Sequence, residues 1–185
     1  MTRIGITGIM GSGKSTLAKR IVDKIPQFTY IDVDVFRRDL IQNNDLFKTE
    51  LLGKLNLKDI NQLNDLIYND NNAMILFKKI LHNYLSNYIQ SKKEPLIVDY
   101  ALLIDDNLLN GLDKVIILKC DLDKAISRVS GGDLPIDTIK KRINLQLSFE
   151  DKVKIISNLN IKYLIVDNNH EMDLSKVIDF INGDN

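Results

Sequence analysis

The residues best equipped for chemistry come early in the chain, where Gly8-Ile9-Met10-Gly11-Ser12-Gly13-Lys14-Ser15-Thr16 spells G-x-x-x-x-G-K-S. A turn of this composition suits a phosphate. Gly8, Gly11 and Gly13 let backbone N–H groups converge on an anion, and a helix starting there adds the positive end of its dipole. Gly11, Ser12, Gly13 and Thr16 are therefore candidate nucleotide-binding residues. Lys14 reaches the outer phosphates as a point charge, and the Ser15 hydroxyl suits Mg2+. The motif implies a bound nucleoside triphosphate and leaves the phosphoryl acceptor open.

Three carboxylates could complete such a site. Asp32 and Asp34 lie in Tyr30-Ile31-Asp32-Val33-Asp34, at the end of an apolar run. If the strand continues through both, alternation puts them on one side. One can then take a proton from an acceptor hydroxyl while the other orients substrate or metal-bound water. Capping the next helix is the other role open to Asp34. Asp99 ends Leu96-Ile97-Val98-Asp99, the pattern of a magnesium-holding carboxylate after a buried strand. Arg37, Arg38, Arg128 and Arg142 can each pair two oxygens of a transferring phosphoryl group. Arg128 and Arg142 flank Ser130-Gly131-Gly132-Asp133-Leu134-Pro135, so residues 128–146 are expected to form a lid on a flexible joint. His82 falls on the polar flank of a helical pattern, where solvation is its ordinary role.

These groups need a frame that collects them at one edge. Residues 4–7, 28–33, 95–100, 114–120 and 163–166 read as short, β-branched-rich buried strands separated by helical patterns. That alternation predicts an α/β, three-layer fold on a five-stranded parallel sheet, with active residues at the strands' carboxyl ends. Residues 39–92 hold more helix than a crossover requires, with Leu76, Phe77, Ile80, Leu81, Tyr84, Leu85 and Tyr88 on one face. This insertion is expected to form an acceptor-binding wall within a single domain covering residues 1–185; a helical cap over the sheet is the plainer alternative. Cys120 closes the fourth apolar run and is expected to be a buried strand residue.

The bulk composition excludes several partners. Lys plus Arg and Asp plus Glu both number 25, with no basic run, so nucleic acid is not expected. No apolar stretch reaches membrane-spanning length. A single cysteine cannot form an internal disulfide, and the chain starts directly on the first strand segment. A cytoplasmic monomer is the expectation.

Taken in order, the segments resemble the dephospho-coenzyme A kinase family. Ile6-Thr7-Gly8 through Thr16 is similar to its T-G-G-I-G-S-G-K-S-T, and Ile31-Asp32-Val33-Asp34-Val35-Phe36-Arg37-Arg38 to I-D-A-D-x-x-A-R. Ile80-Leu81-His82-Asn83 resembles I-x-H-P, and Ala101-Leu102-Leu103-Ile104-Asp105 stands where the family has P-L-L-[FY]-E. Arg142-Ile143-Asn144-Leu145-Gln146 matches R-x-x-x-Q, and Val166-Asp167-Asn168-Asn169 resembles the final strand and turn. The chain departs from the family at Ile9, Asn83, Ala101 and Gly131-Gly132, and lacks a recognisable D-G-x-x-x-R across residues 56–63. Most departures fall on the acceptor and lid sides.

The resemblance implies transfer of the γ-phosphoryl of ATP, with Mg2+, to the ribose 3′-hydroxyl of dephospho-coenzyme A, the last step of coenzyme A synthesis. It implies Asp32 as base, with Lys14 also catalytic, and Asp34, Arg38 and His82 at the acceptor. Ser15 and Asp99 would serve the metal, and Arg128 and Arg142 would close over ATP. Two other readings stand beside it: a P-loop kinase for a nucleoside or nucleoside monophosphate, and a catalytically decayed ATP-binding regulatory protein. A GTPase is disfavoured, because D-x-x-G and N-K-x-D are both missing from the chain.

Overall fold

The computed structural model describes residues 2–130, 135–170 and 172–183. The chain divides into two compact units, one of residues 1–32 with 93–185, the other Val33–Lys92.

The first unit is built on five parallel strands: β1 (Arg3–Thr7), β2 (Thr29–Asp32), β3 (Leu96–Asp99), β4 (Lys114–Lys119) and β5 (Lys162–Asp167). Their order is β2-β3-β1-β4-β5, and every pairing is parallel, as the α/β alternation predicts. β1 is buried on both faces: Ile4 and Ile6 are fully inaccessible on one, and Gly5 lies close under Leu103 and Leu112 on the other. Helix α1 (Lys14–Lys24) packs Leu17, Ala18 and Ile21 onto a core shared with Ile97, Ile116, Leu118 and Val166. Those positions are one helical face, and charged Lys19, Arg20 and Lys24 occupy the other.

Strand register does the positioning. Ile6 pairs with Asp99, and Asp32 pairs with Asp99 across β2 and β3. Three chain segments thus reach the carboxyl edge level with one another, beside the turn that follows β1. This is the crevice where open α/β sheets bind ligands.

Two expectations are corrected here. The strand does not continue through Asp34: β2 stops at Asp32, and helix α2 (Val33–Asn43) begins at the next residue. The strand alternation that would align Asp32 with Asp34 therefore does not apply. Cys120 follows β4 rather than belonging to it, and is half-buried.

The second unit is helical: α2, α3 (Asp45–Lys54), a 3-10 turn at Ile60–Gln62, α4 (Leu63–Asn69) and α5 (Asn71–Ser91). Its core gathers Leu40, Phe47, Leu51, Leu63, Ile67, Phe77, Ile80 and Leu81. The Asp70 carboxylate caps α5 by accepting from the N–H groups of Asn72 and Ala73. Tyr84 meets Phe47 edge-on at 5.0 Å, and Tyr88 lies 4.9 Å from Phe36.

The first unit is completed by α6 (Leu122–Val129), α7 (Ile136–Asn144), α8 (Phe149–Ser157) and α9 (Leu174–Asn182). The expected joint at Gly131-Gly132 lies outside the described residues. Among the described residues no helix is long and apolar enough to cross a membrane.

Candidate phosphoryl-transfer site

The turn after β1 is held by neighbours distant in sequence. Gly13, the residue before α1, has φ of +93°. A side chain at Gly13 would also collide with the Asn168 amide, and one at Gly11 with the Ala125 backbone. Both positions therefore demand glycine for reasons of conformation and of space. The Asn168 Nδ2 donates to Ser12 O at 2.7 Å, and Met10 N donates to Gln146 Oε1 at 3.2 Å. Lys14 Nζ donates to Ile9 O at 3.1 Å, bringing its ammonium onto the loop itself.

At the foot of this loop sits a cluster of oxygens. Ser15 Oγ donates to Asp99 Oδ2 at 2.6 Å, within the range of a charge-assisted bond. Tyr30 OH donates to the same oxygen at 3.0 Å and lies 3.4 Å from Asp32 Oδ2. Asp99 is 5% exposed, and burial raises its carboxyl above the ordinary carboxylate range. The Ser15 bond, the Lys14 charge and the Tyr30 bond oppose that rise, while neighbouring Asp32 adds to it. Burial likewise pushes the Tyr30 phenol far above its usual value, so it stays protonated and donates.

Lys14, Ser15, Asp32 and Asp99 thus share one neighbourhood. Tyr30 belongs with them although its type gave no warning. The usable signal was its place two residues before Asp32, on the same side of β2.

The expected arginines are arranged differently. Arg128, on α6, donates through NH2 to Asn168 O at 2.8 Å and through NH1 to Cys120 Sγ at 3.4 Å. Its guanidinium is thereby tied to the turn after β5, whose Asn168 also holds the glycine loop. Arg142 is half-buried on α7, one helical turn before Gln146. Thr16 is exposed on the first turn of α1, and Ser12 is buried.

The acceptor candidates lie in the helical unit. Asp34 is exposed in the first turn of α2 and pairs with Arg37 at 3.6 Å. Arg37 and Arg38 line a cleft of about 260 Å³ with Ile41, Gln42, Leu63, Asn64, Ile67 and Phe77. His82 is half-buried on α5 and is not among those lining residues.

Sequence reasoning passed over a buried pair behind the loop. Lys152, on α8, is 1% exposed and donates both to the Asp105 carboxylate and to Ala101 O, the latter at 3.1 Å. A lysine in a charged helical stretch reads as solvated, and only its packing reveals otherwise.

Both the sequence and the fold have relatives among known proteins. Relatives named dephospho-CoA kinase include one from Prochlorococcus marinus, 29% identical over 94% of this chain and 88% of the relative. Another, from Gamma-proteobacterium EBAC31A08, is 27% identical over 96% and 94% of the two chains. The fold is similar to TT1252 from Thermus thermophilus, with a TM-score of 0.72 at 19% identity over 97% of both chains. It is also similar to deoxyadenosine kinase from M. mycoides, with a TM-score of 0.62 at 17% identity over 99% and 100%. The model of the Dephospho-CoA kinase family matches residues 2–173, and the chain belongs to that family.

Proposed function

We propose that this dephospho-CoA kinase uses Asp32 as the base and the Gly8–Ser15 turn as the phosphate cradle. The acceptor is the ribose 3′-hydroxyl of dephospho-coenzyme A. Its oxygen forms a bond to the γ-phosphorus of ATP while the bond to the β,γ-bridging oxygen breaks, and the hydroxyl proton passes to the Asp32 carboxylate. The cluster of Ser15, Asp99, Tyr30 and Asp32 beside the loop carries this reading.

Asp32 suits the base role better than Asp99. Asp99 already accepts from Ser15 and Tyr30 and is buried, whereas Asp32 is half-buried at the strand's end. Lys14 would stabilise the charge on the transferring group, and Arg128 and Arg142 are proposed to contact ATP.

The donor set fits Mg2+. A hydroxyl and a carboxylate 2.6 Å apart are hard oxygen donors, and this ion commonly takes one or two protein ligands with phosphates and water for the rest. Ser15 and Asp99 would hold the ion, which neutralises phosphate charge when bound. Asp34, Arg38 and His82 are proposed acceptor contacts, Arg38 through the 260 Å³ cleft.

A coupled assay of ATP consumption across a panel of acceptors tests the reading. Turnover is expected with dephospho-coenzyme A and Mg2+. Turnover with a nucleoside or nucleoside monophosphate, and none with dephospho-coenzyme A, would overturn it.

A further inference from the structure

Lys152 is a costly residue to bury, since an ammonium loses its hydration and needs acceptors in exchange. It is 1% exposed, and the reaction as derived above does not use it. Its acceptors belong to segments that converge on the ATP site. One is Ala101 O, two residues beyond Asp99, which also receives the Thr7 hydroxyl at 3.0 Å. Thr7 is the last residue of β1, where the phosphate turn begins. The other is the Asp105 carboxylate, whose Oδ1 accepts from Leu147 N at 2.7 Å. Leu147 follows Gln146, the residue whose side chain accepts from Met10 N in the turn.

One ammonium therefore joins two supports. Through Ala101 it fixes the exit of β3 beside the root of the phosphate turn. Through Asp105 it fixes the backbone that aims Gln146 at the turn's far limb. An apolar side chain of the same length could fill the space but could not bridge the two oxygens.

We propose that Lys152, acting through Asp105 and Ala101, is a positioning residue that preorganises the phosphate turn for ATP. The proposal rests on the assignment of that turn as the ATP cradle. A phosphate cradle acts by having its donors aimed before the ligand arrives. Loosening its supports should thus raise the ATP requirement and slow transfer, while leaving the acceptor's own KM unchanged.

The test compares wild type with Lys152→Met, Gln146→Ala, their combination, and the doubly neutral Lys152→Met/Asp105→Asn. The last variant leaves no unpaired buried charge, and its carboxamide oxygen can still accept from Leu147 N, so it guards against simple misfolding. Melting temperature and steady-state kinetics in ATP and dephospho-coenzyme A are measured for each.

Both Lys152→Met and the doubly neutral variant are expected to lose up to ~100-fold in kcat/KM for ATP, the scale of a misplaced reacting group. The KM for dephospho-coenzyme A stays near that of wild type. Lys152→Met and Gln146→Ala should combine to less than the product of their separate losses, because they act on one support. Wild-type kinetics in a doubly neutral variant of normal melting temperature would reduce Lys152 to a packing role and overturn the proposal. So would losses that multiply in full. A wild type inactive on dephospho-coenzyme A would instead strike at the function proposed above.

Discussion

Asp99 and Asp32 stand level on adjacent strands, yet their surroundings differ. Two donors and deep burial commit Asp99 to holding Ser15 and Tyr30. Asp32 is half-buried at the end of β2, and the base role proposed above falls to it. Replacing Asp32 with Asn is expected to lower kcat by ~10²–10⁴-fold, the usual contribution of a positioned base, with ATP affinity preserved. Stopped assays beside equilibrium ATP binding check this, and unchanged turnover would remove Asp32 from that role. Asp99 makes a different prediction, about pH. Its folded-state carboxyl titrates above the unfolded one, chiefly through burial, so the folded chain holds that proton longer. Stability is therefore lost as pH rises from the ordinary carboxylate value through the raised one, and stays lost at neutral pH. The Asp99→Asn variant can still accept from Ser15 and Tyr30 but has no proton to release. Scanning calorimetry should show it melting higher than wild type near pH 7, with the difference shrinking toward pH 3. A difference that holds constant with pH would contradict this account.

At the scale of elements, the phosphate turn depends on neighbours distant in sequence. Asn168, from the turn after β5, holds Ser12 O and also receives Arg128 at its own carbonyl. Gly13 makes room for that amide while adopting φ of +93°. Gly13→Ala is expected to cost ~1–2 kcal/mol from the left-handed backbone alone, with further loss from the clash. Urea unfolding measures it, and a stability equal to wild type would mean that the turn can relax. Much of this frame was legible beforehand. Each strand run was found within one or two residues, because buried parallel strands are short, β-branched and bounded by turns. The start of α2 was not, since Val33-Asp34-Val35 alternates like a strand. Burial of Val33 and Leu40 along one face of the helix outweighed that local pattern. Cys120 misled for a similar reason: apolar character continued one residue past the last ladder bond.

On the scale of the whole molecule, the two units carry separate predictions. ATP at 100 times its Kd should stabilise the chain by about 2.7 kcal/mol, read as a rise in melting temperature. Amide exchange should slow at residues 8–16 and near Asn168 with ATP, and within Val33–Lys92 with dephospho-coenzyme A. Acceptor protection confined to the sheet unit would withdraw Arg38 and the 260 Å³ cleft from acceptor binding. By itself the sequence determined the motif, the alternation of strand and helix, and the carboxylates at strand ends. These are local facts, set by residue type and by periods of two and about three and a half. Only the tertiary structure decided that Tyr30 donates to Asp99, that Gln146 and Asn168 hold the phosphate turn, and that Lys152 is buried on Asp105. Such pairings join residues tens of positions apart, and a lysine's sequence neighbours do not reveal whether its ammonium ends in water or on a carbonyl. Strand register and helix packing settle that, because they alone decide which acceptors come within reach.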